Sequence, residues 1–476
     1  MLENVNGVGV TSSFHLKRFF ILVLFYVTVA IFLISKITNS FETEPRTTYF
    51  DAFFSVANLI MAIIFISFSL SISTQQLNMA FFWLFQFIFF GIGGLITQLD
   101  PFPYYLTQTT TSTFLQDAAK VTFVGQISVG LGQVISFIKM KKQNNRNSLN
   151  IVEEKSLVLR RIKYLITSYI LVTPFLINSL GGTSFLLKRV RLANNEQNLS
   201  ISTNAILQTL LYVPPLICLV TLLYFSSIRK NHRVALASIL IWILLLSNPL
   251  GNARQVTLFL TFPLLFIYLR GRAYKTLVIF AGLPFIFLYS AGLINRYTGQ
   301  FQAPHLSIIS RDGDFDSFSQ VANGLQSIDS GIFPVFRQIT GSILFFVPRS
   351  IYPNKPYDTG IELANHLGLK FQNLSAPWLL EAYANARLLG VIFVGVGLGF
   401  IVSNIDLKSN VTFRSFLLSA MTSGFLFILL RGSLLQATGR AAFTYVLIFL
   451  LIRRPFGARK VSTTISSTPR QQTSQG

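Results

Sequence analysis

Apolar residues come in blocks of about 18 to 23 along most of this chain, each long enough as a helix to cross a hydrocarbon core of roughly 30 Å. By hydropathy the blocks fall at about 19–37, 50–71, 80–97, 118–139, 162–180, 205–227, 233–248, 254–270, 275–294, 385–404, 411–430 and 437–452. The pattern predicts an all-α polytopic membrane protein with about twelve transmembrane helices. The period-two alternation that a β-barrel needs is not seen in it. The first block, "FFILVLFYVTVAIFLISKI", is too long for the apolar core of a cleavable signal and is expected to remain as the first span.

An even number of spans puts both termini on one side, and the basic residues say which. "HLKR", "KMKKQNNR", "LRRIK", "RKNHR", "RGRAYK", "DLKSNVTFR" and "RRPFGARK" all fall on the side of the N-terminus. Lysine and arginine accumulate in short cytoplasmic loops, so both termini are expected in the cytoplasm. "LLKRVR" at 186–191 is the exception and reads as an amphipathic helix at the outer interface. This orientation divides the chain into a membrane domain with spans 1–9 (1–294), one large extracytoplasmic loop (295–384), a membrane domain with spans 10–12 (385–456), and a Ser/Thr/Gln-rich tail (457–476) expected to be disordered in the cytoplasm.

Composition narrows the classes further. Only 12% of residues are charged and the mean hydropathy is +0.56, whereas a soluble domain carries about 25% charge. The formal charge of +22 would point to nucleic acid in a soluble protein. Here the cations sit beside the spans and set orientation, so no nucleic-acid partner is expected. Cys218 lies alone inside an apolar block, which excludes a disulfide. The four histidines, His305 and His366 among them, show no metal-ligand spacing, and Gly-rich phosphate loops are missing. "RDGDFDS" lacks the glutamate an EF-hand loop requires. No metal or other cofactor is expected.

The outer loop holds seven of the 17 acids, Asp312, Asp314, Asp316, Asp329, Asp358, Glu362 and Glu381, with bases interspersed. Any solvated loop collects charge, yet a site for anion binding and proton transfer needs the same mixture. Within the loop, "IFPVFRQITGSILFFV" is apolar enough for a short helix at the membrane surface or dipping into it. The prolines at 348, 353 and 356 in "FFVPRSIYPNKPYDTG" then forbid its continuation, leaving Arg349 and Lys355 expected at the membrane surface. Ser375, in "NLSAPW", reads as a turn or cap residue. The spans themselves are nearly free of charge; Asp117 and Lys120 come closest to membrane depth, as a local pair on one helix face. Arg254, Arg431 and Arg440 stand at outer span ends, where their forks would match phosphate oxygens or snorkel to headgroups.

The topology, with "SRDGDFDSF", "FFVPRSIYPNKPYDTG", "NLSAPWLLEAYANARLLG" and "LLRGSLLQ", resembles the bacterial oligosaccharide repeat-unit polymerases, the Wzy-type O-antigen and exopolysaccharide polymerases. The likeness in topology covers the chain, while that in sequence is concentrated between about 311 and 435. The resemblance implies a metal-independent glycosyltransferase of the plasma (inner) membrane, with its active site on the extracytoplasmic face. Its donor and acceptor would be polyprenyl-diphosphate-linked oligosaccharides, and its partners membrane lipid, a chain-length regulator and a flippase. Arg254, Arg349, Arg431, Arg311 and Arg440 would bind the diphosphate, and Asp316, Asp314 or Glu381 would take the acceptor proton. Tyr352, Trp378, Tyr383 and Asn385 would contact sugar. An O-antigen-ligase-like transferase and a lipid-linked oligosaccharide flippase are the alternatives.

Overall fold

The computed structural model describes residues 14–38, 52–72, 76–99, 112–143, 152–182, 201–225, 233–248, 254–289, 315–369, 374–409 and 412–453. Its regular elements are helices, beside one isolated bridge between Phe14 and Ile72. They are α1 (Leu16–Thr38), α2 (Phe53–Ser71), α3 (Leu77–Leu99), α4 (Ser112–Gln143), α5 (Val152–Ser179), α6 (Ile201–Phe225), α7 (Arg233–Leu246), α8 (Arg254–Leu269) and α9 (Ala273–Tyr289). Then follow α10 (Ser317–Asp329), α11 (Arg337–Ile343), α12 (Thr359–His366), α13 (Trp378–Lys408), α14 (Phe413–Arg431) and α15 (Leu434–Ile452).

Among the described residues nine helices are long and apolar enough to cross a membrane: α1 to α6 and α13 to α15. Three shorter apolar stretches, Val234–Leu246, Gln255–Leu269 and Ala273–Ile286, coincide with the seventh, eighth and ninth expected spans. The described residues thus form an all-helical protein built for a membrane. The expected amphipathic helix at 186–191 and the tail at 457–476 lie outside the described residues.

Helix α3 is the axis of the fold, buried along its whole length against α2, α13 and α14. It is interrupted by a π-helical segment, Gln86–Ile92, which shifts the register of its side chains halfway along. The most extensive pairing joins α4 to α13. There Gly132 and Gly399 permit close approach: a Cβ on either would run into the facing backbone, at Val396 and Val129.

Asp406, which the sequence places in the segment after the tenth expected span, is instead buried within the helix packing. α13 continues to Lys408, which brings the Asp406 carboxylate under the N-terminus of α3. It accepts hydrogen bonds from the Met79 N–H at 3.1 Å, Asn78 Nδ2 at 2.6 Å and Ser419 Oγ at 2.9 Å. No side chain of α3's own caps that end, so a carboxylate from α13 supplies the acceptors and the favourable charge. Asp117 and Lys120 form the expected local pair, at 2.9 Å.

The loop expected at 295–384 contributes to the core. The first of its described helices, α10, buries nearly all its residues against α3, α4 and α13. Helix α13 crosses the boundary expected at 384/385 and breaks just beyond it, where Ala386 and Arg387 leave helical backbone and Arg387 takes φ of 53°. Asn385 holds that break. Its Oδ1 accepts from the Ile339 N–H at 2.8 Å, its carbonyl from the Phe336 N–H at 3.1 Å, and its Nδ2 donates to the Glu381 carbonyl at 2.7 Å.

Candidate active site

The turn between α14 and α15 is where three acids of the segment 295–384 converge. α14 ends at Arg431, and Ser433 starts α15 by accepting from the Gln436 N–H at 3.3 Å. Serine before an apolar run is a strong N-cap signal, so this turn follows from local sequence. What meets it does not. Asp316 precedes α10, Asp358 caps α12 and Glu381 lies in the first turn of α13, yet all three reach residues 431–434.

On one side of the turn, Asp316 is almost wholly buried and accepts from the Ser375 hydroxyl and, at 3.3 Å, from the Ser375 N–H. Arg431 donates through Nε to Ser375 Oγ at 3.1 Å, and its Nη2 lies 3.7 Å from Asp316 Oδ1. The Ala376 N–H donates to the Arg431 carbonyl at 2.9 Å. Ser375, expected as a turn or cap residue, is therefore the link between the acid and the guanidinium.

On the other side, Ser433 Oγ donates to Asp358 Oδ2 at 2.5 Å and the Leu434 N–H donates to Glu381 Oε1 at 2.9 Å. Both acceptors face the N-terminus of α15, where negative charge is stabilised. Glu362 takes Gln338 Nε2 at 2.7 Å, the Tyr357 N–H at 2.9 Å and the Arg337 guanidinium at 3.3 Å. Burial raises the carboxyls of Asp358 and Glu362 above the ordinary range, against the hydrogen bonds that lower them.

Beside Arg431 lies a cavity of about 260 Å³, lined by α3, α8, α9, α14 and the residue before Asp316. Phe85, Phe89, Phe315 and Phe427 give it an aromatic wall, with Gln255 and Arg431 among its few polar groups. Arg431 is its single charged lining residue among those described. An apolar chamber with one guanidinium suits an amphiphile with an apolar tail and an anionic head.

The other expected site residues are distributed differently. Arg254 opens α8 directly before Gln255, but its side chain is outside what is described, as are Arg311 and Asp314 altogether. Arg349 donates to the carbonyls of Lys355 and Pro356 and stacks 3.9 Å from the Tyr357 ring centroid. Lys355 Nζ donates to the carbonyls of Phe345 and Val347, at 2.7 and 3.1 Å. These two cations brace the proline-rich segment from within, and burial followed by the neighbouring Arg349 lowers the Lys355 ammonium from its usual range. Arg440 lies within electrostatic reach of Asp358 and Tyr212.

Trp378 is buried against Gly125 and Gly395, and Asn385 is committed to the break in α13. Tyr383 and Tyr352 are partly exposed, Tyr383 with the Arg387 guanidinium 5.8 Å from its ring centroid. The arrangement thus gathers Asp316, Glu381 and Arg431 from the expected set and adds Ser375, Asp358 and Ser433. Comparison with protein-family models, with characterised proteins and with solved structures finds no match to this chain.

Proposed function

We propose that this chain is a glycosyltransferase of the plasma (inner) membrane that polymerises polyprenyl-diphosphate-linked oligosaccharide repeat units into a surface polysaccharide on the extracytoplasmic face. The observation that carries this reading is Arg431, shared between a phenylalanine-walled cavity and the Asp316 carboxylate. The cavity takes part of the isoprenoid tail and Arg431 takes a phosphate oxygen. In the transfer, an acceptor hydroxyl oxygen bonds to the anomeric carbon of the donor and the bond from that carbon to the diphosphate breaks. The electron pair leaves on the diphosphate, where a guanidinium stabilises the developing charge. The hydroxyl proton passes to a carboxylate, which we assign to Asp316. Phosphate and carboxylate compete for Arg431, so donor binding releases Asp316 from its ion pair to face the acceptor.

The test is complementation of a deletion strain with the native gene, Arg431→Ala and Asp316→Asn, at matched protein levels. The expected outcome is loss of long glycan with both variants and accumulation of single lipid-linked repeats on the outer face. Repeats retained on the cytoplasmic face would replace this reading with a flippase. Long chains that form but remain on the lipid carrier would replace it with a ligase.

A further inference from the structure

Packed against α15 and α13 is a short segment with an unusual surface. Phe336, Ile339, Ile343, Phe346 and Ile351 are 58%, 36%, 64%, 69% and 75% exposed. The first four follow one another at intervals of three and four, which places them on one face of α11 and the turn after it. The opposite face is packed: Gln338, Gly341 and Ser342 are buried, with Gly341 against the ring of Pro356. The segment therefore has one face made for protein and one made for an apolar medium.

We propose that this face of residues 336–346 is inserted into the bilayer leaflet that α15 enters at its N-terminal end, with those four side chains among lipid acyl chains. Depth supports this. The Phe345 ring packs on Gly439 of α15, five residues past Leu434, so it lies about 7.5 Å along the span from its first residue at 1.5 Å per residue. α15 spans 19 residues, close to a full hydrocarbon thickness, and is mostly half-buried, with Val446, Phe449 and Leu450 exposed farther down. The apolar face of α11 is thus continuous with the wall that α15 turns to lipid. Charge does not oppose insertion. Arg337 is paired with Glu362, while Arg349 and Lys355 donate to backbone carbonyls of their own segment. Asn385 of α13 tethers α11 at this level through the N–H groups of Phe336 and Ile339. The insertion does not depend on the function proposed above.

Single cysteines at Ile343, Phe346 and, as an aqueous reference, Ser330, introduced into a Cys218→Ser background and spin-labelled in lipid nanodiscs, test the proposal on the full chain. All three positions are exposed, so substitution leaves the packing intact. The expected result is a lipid-to-water accessibility ratio severalfold higher at 343 and 346 than at 330, with doxyl-lipid quenching of matched fluorophores at the first two. Water accessibility at 343 and 346 equal to that at 330 overturns the insertion. Exclusion of both water and lipid also overturns it, and assigns the face to a second protein surface.

Discussion

Ser375 is the smallest group in the candidate site and the one whose role is most local. Its hydroxyl donates to Asp316 and accepts from Arg431, so it orients both. Removing a hydrogen bond to a charged group costs roughly 1.5–3 kcal/mol, or about ten- to a hundredfold in rate if the bond matters in the transition state. Ser375→Ala is expected to lower polymer formation by about that factor while leaving protein abundance unchanged, as read from glycan ladders normalised to membrane protein. Arg431→Lys keeps the charge but not the fork, and should fail similarly. The buried Asp358 gives a pH prediction. Its carboxyl is raised by burial, so the folded chain holds its proton over a window where the unfolded chain has lost it. That window runs from the ordinary aspartate value, about 4, up to the raised value, and stability falls as pH rises through it. Asp358→Asn retains an acceptor for the α12 cap and is expected to remove this part of the slope. The measurement is the Tm difference between about pH 4 and about pH 7 in detergent, and an unchanged difference rejects the assignment.

At the scale of elements, the site depends on helix approach as much as on side chains. α4 and α13 meet through glycines, and α13 in turn presents Glu381 and Asn385. Gly399→Val drives a branched side chain into the Val129 carbonyl and is expected to abolish a folded, extractable protein. Gly397→Ala, two residues away, meets nothing within 4 Å. It replaces a helical glycine and is expected to hold or raise stability by about 0.5–1 kcal/mol. Thermal unfolding of the two variants in the same detergent checks both outcomes. The break at Ala386 and Arg387 belongs to this scale too. A non-glycine residue at positive φ persists only where its surroundings hold it, and Asn385 provides three hydrogen bonds for that.

For the whole molecule, the distribution of lysine and arginine makes orientation the first thing to measure. Reporter fusions after residues 232, 272 and 453 are expected to read as cytoplasmic and a fusion after 350 as extracytoplasmic; any reversed reading revises the count of about twelve spans. The helical blocks were legible because each apolar run carries its own reason to be a helix in lipid, where every backbone group needs an internal partner. Arg431 was legible as a cation at a span end and Asp316 as one of seven acids gathered in one segment of the chain. Ser375 was not, since a lone serine has no periodicity, and its importance arises from Asp316, 59 residues earlier, and Arg431, 56 residues later. The burial of Asp406 was not legible for the same reason: its partner is the N-terminus of α3, more than 300 residues away. Arg349 and Arg431 could not be told apart by sequence, because whether a guanidinium faces a cavity or its own loop's carbonyls is settled by packing. By itself, then, the sequence determined an apolar helical protein and a short roster of charged residues, both of which depend on local composition. Only the tertiary structure decided which of those charges meet, because long-range contacts between helices are chosen by shape and by the need to satisfy buried polar groups.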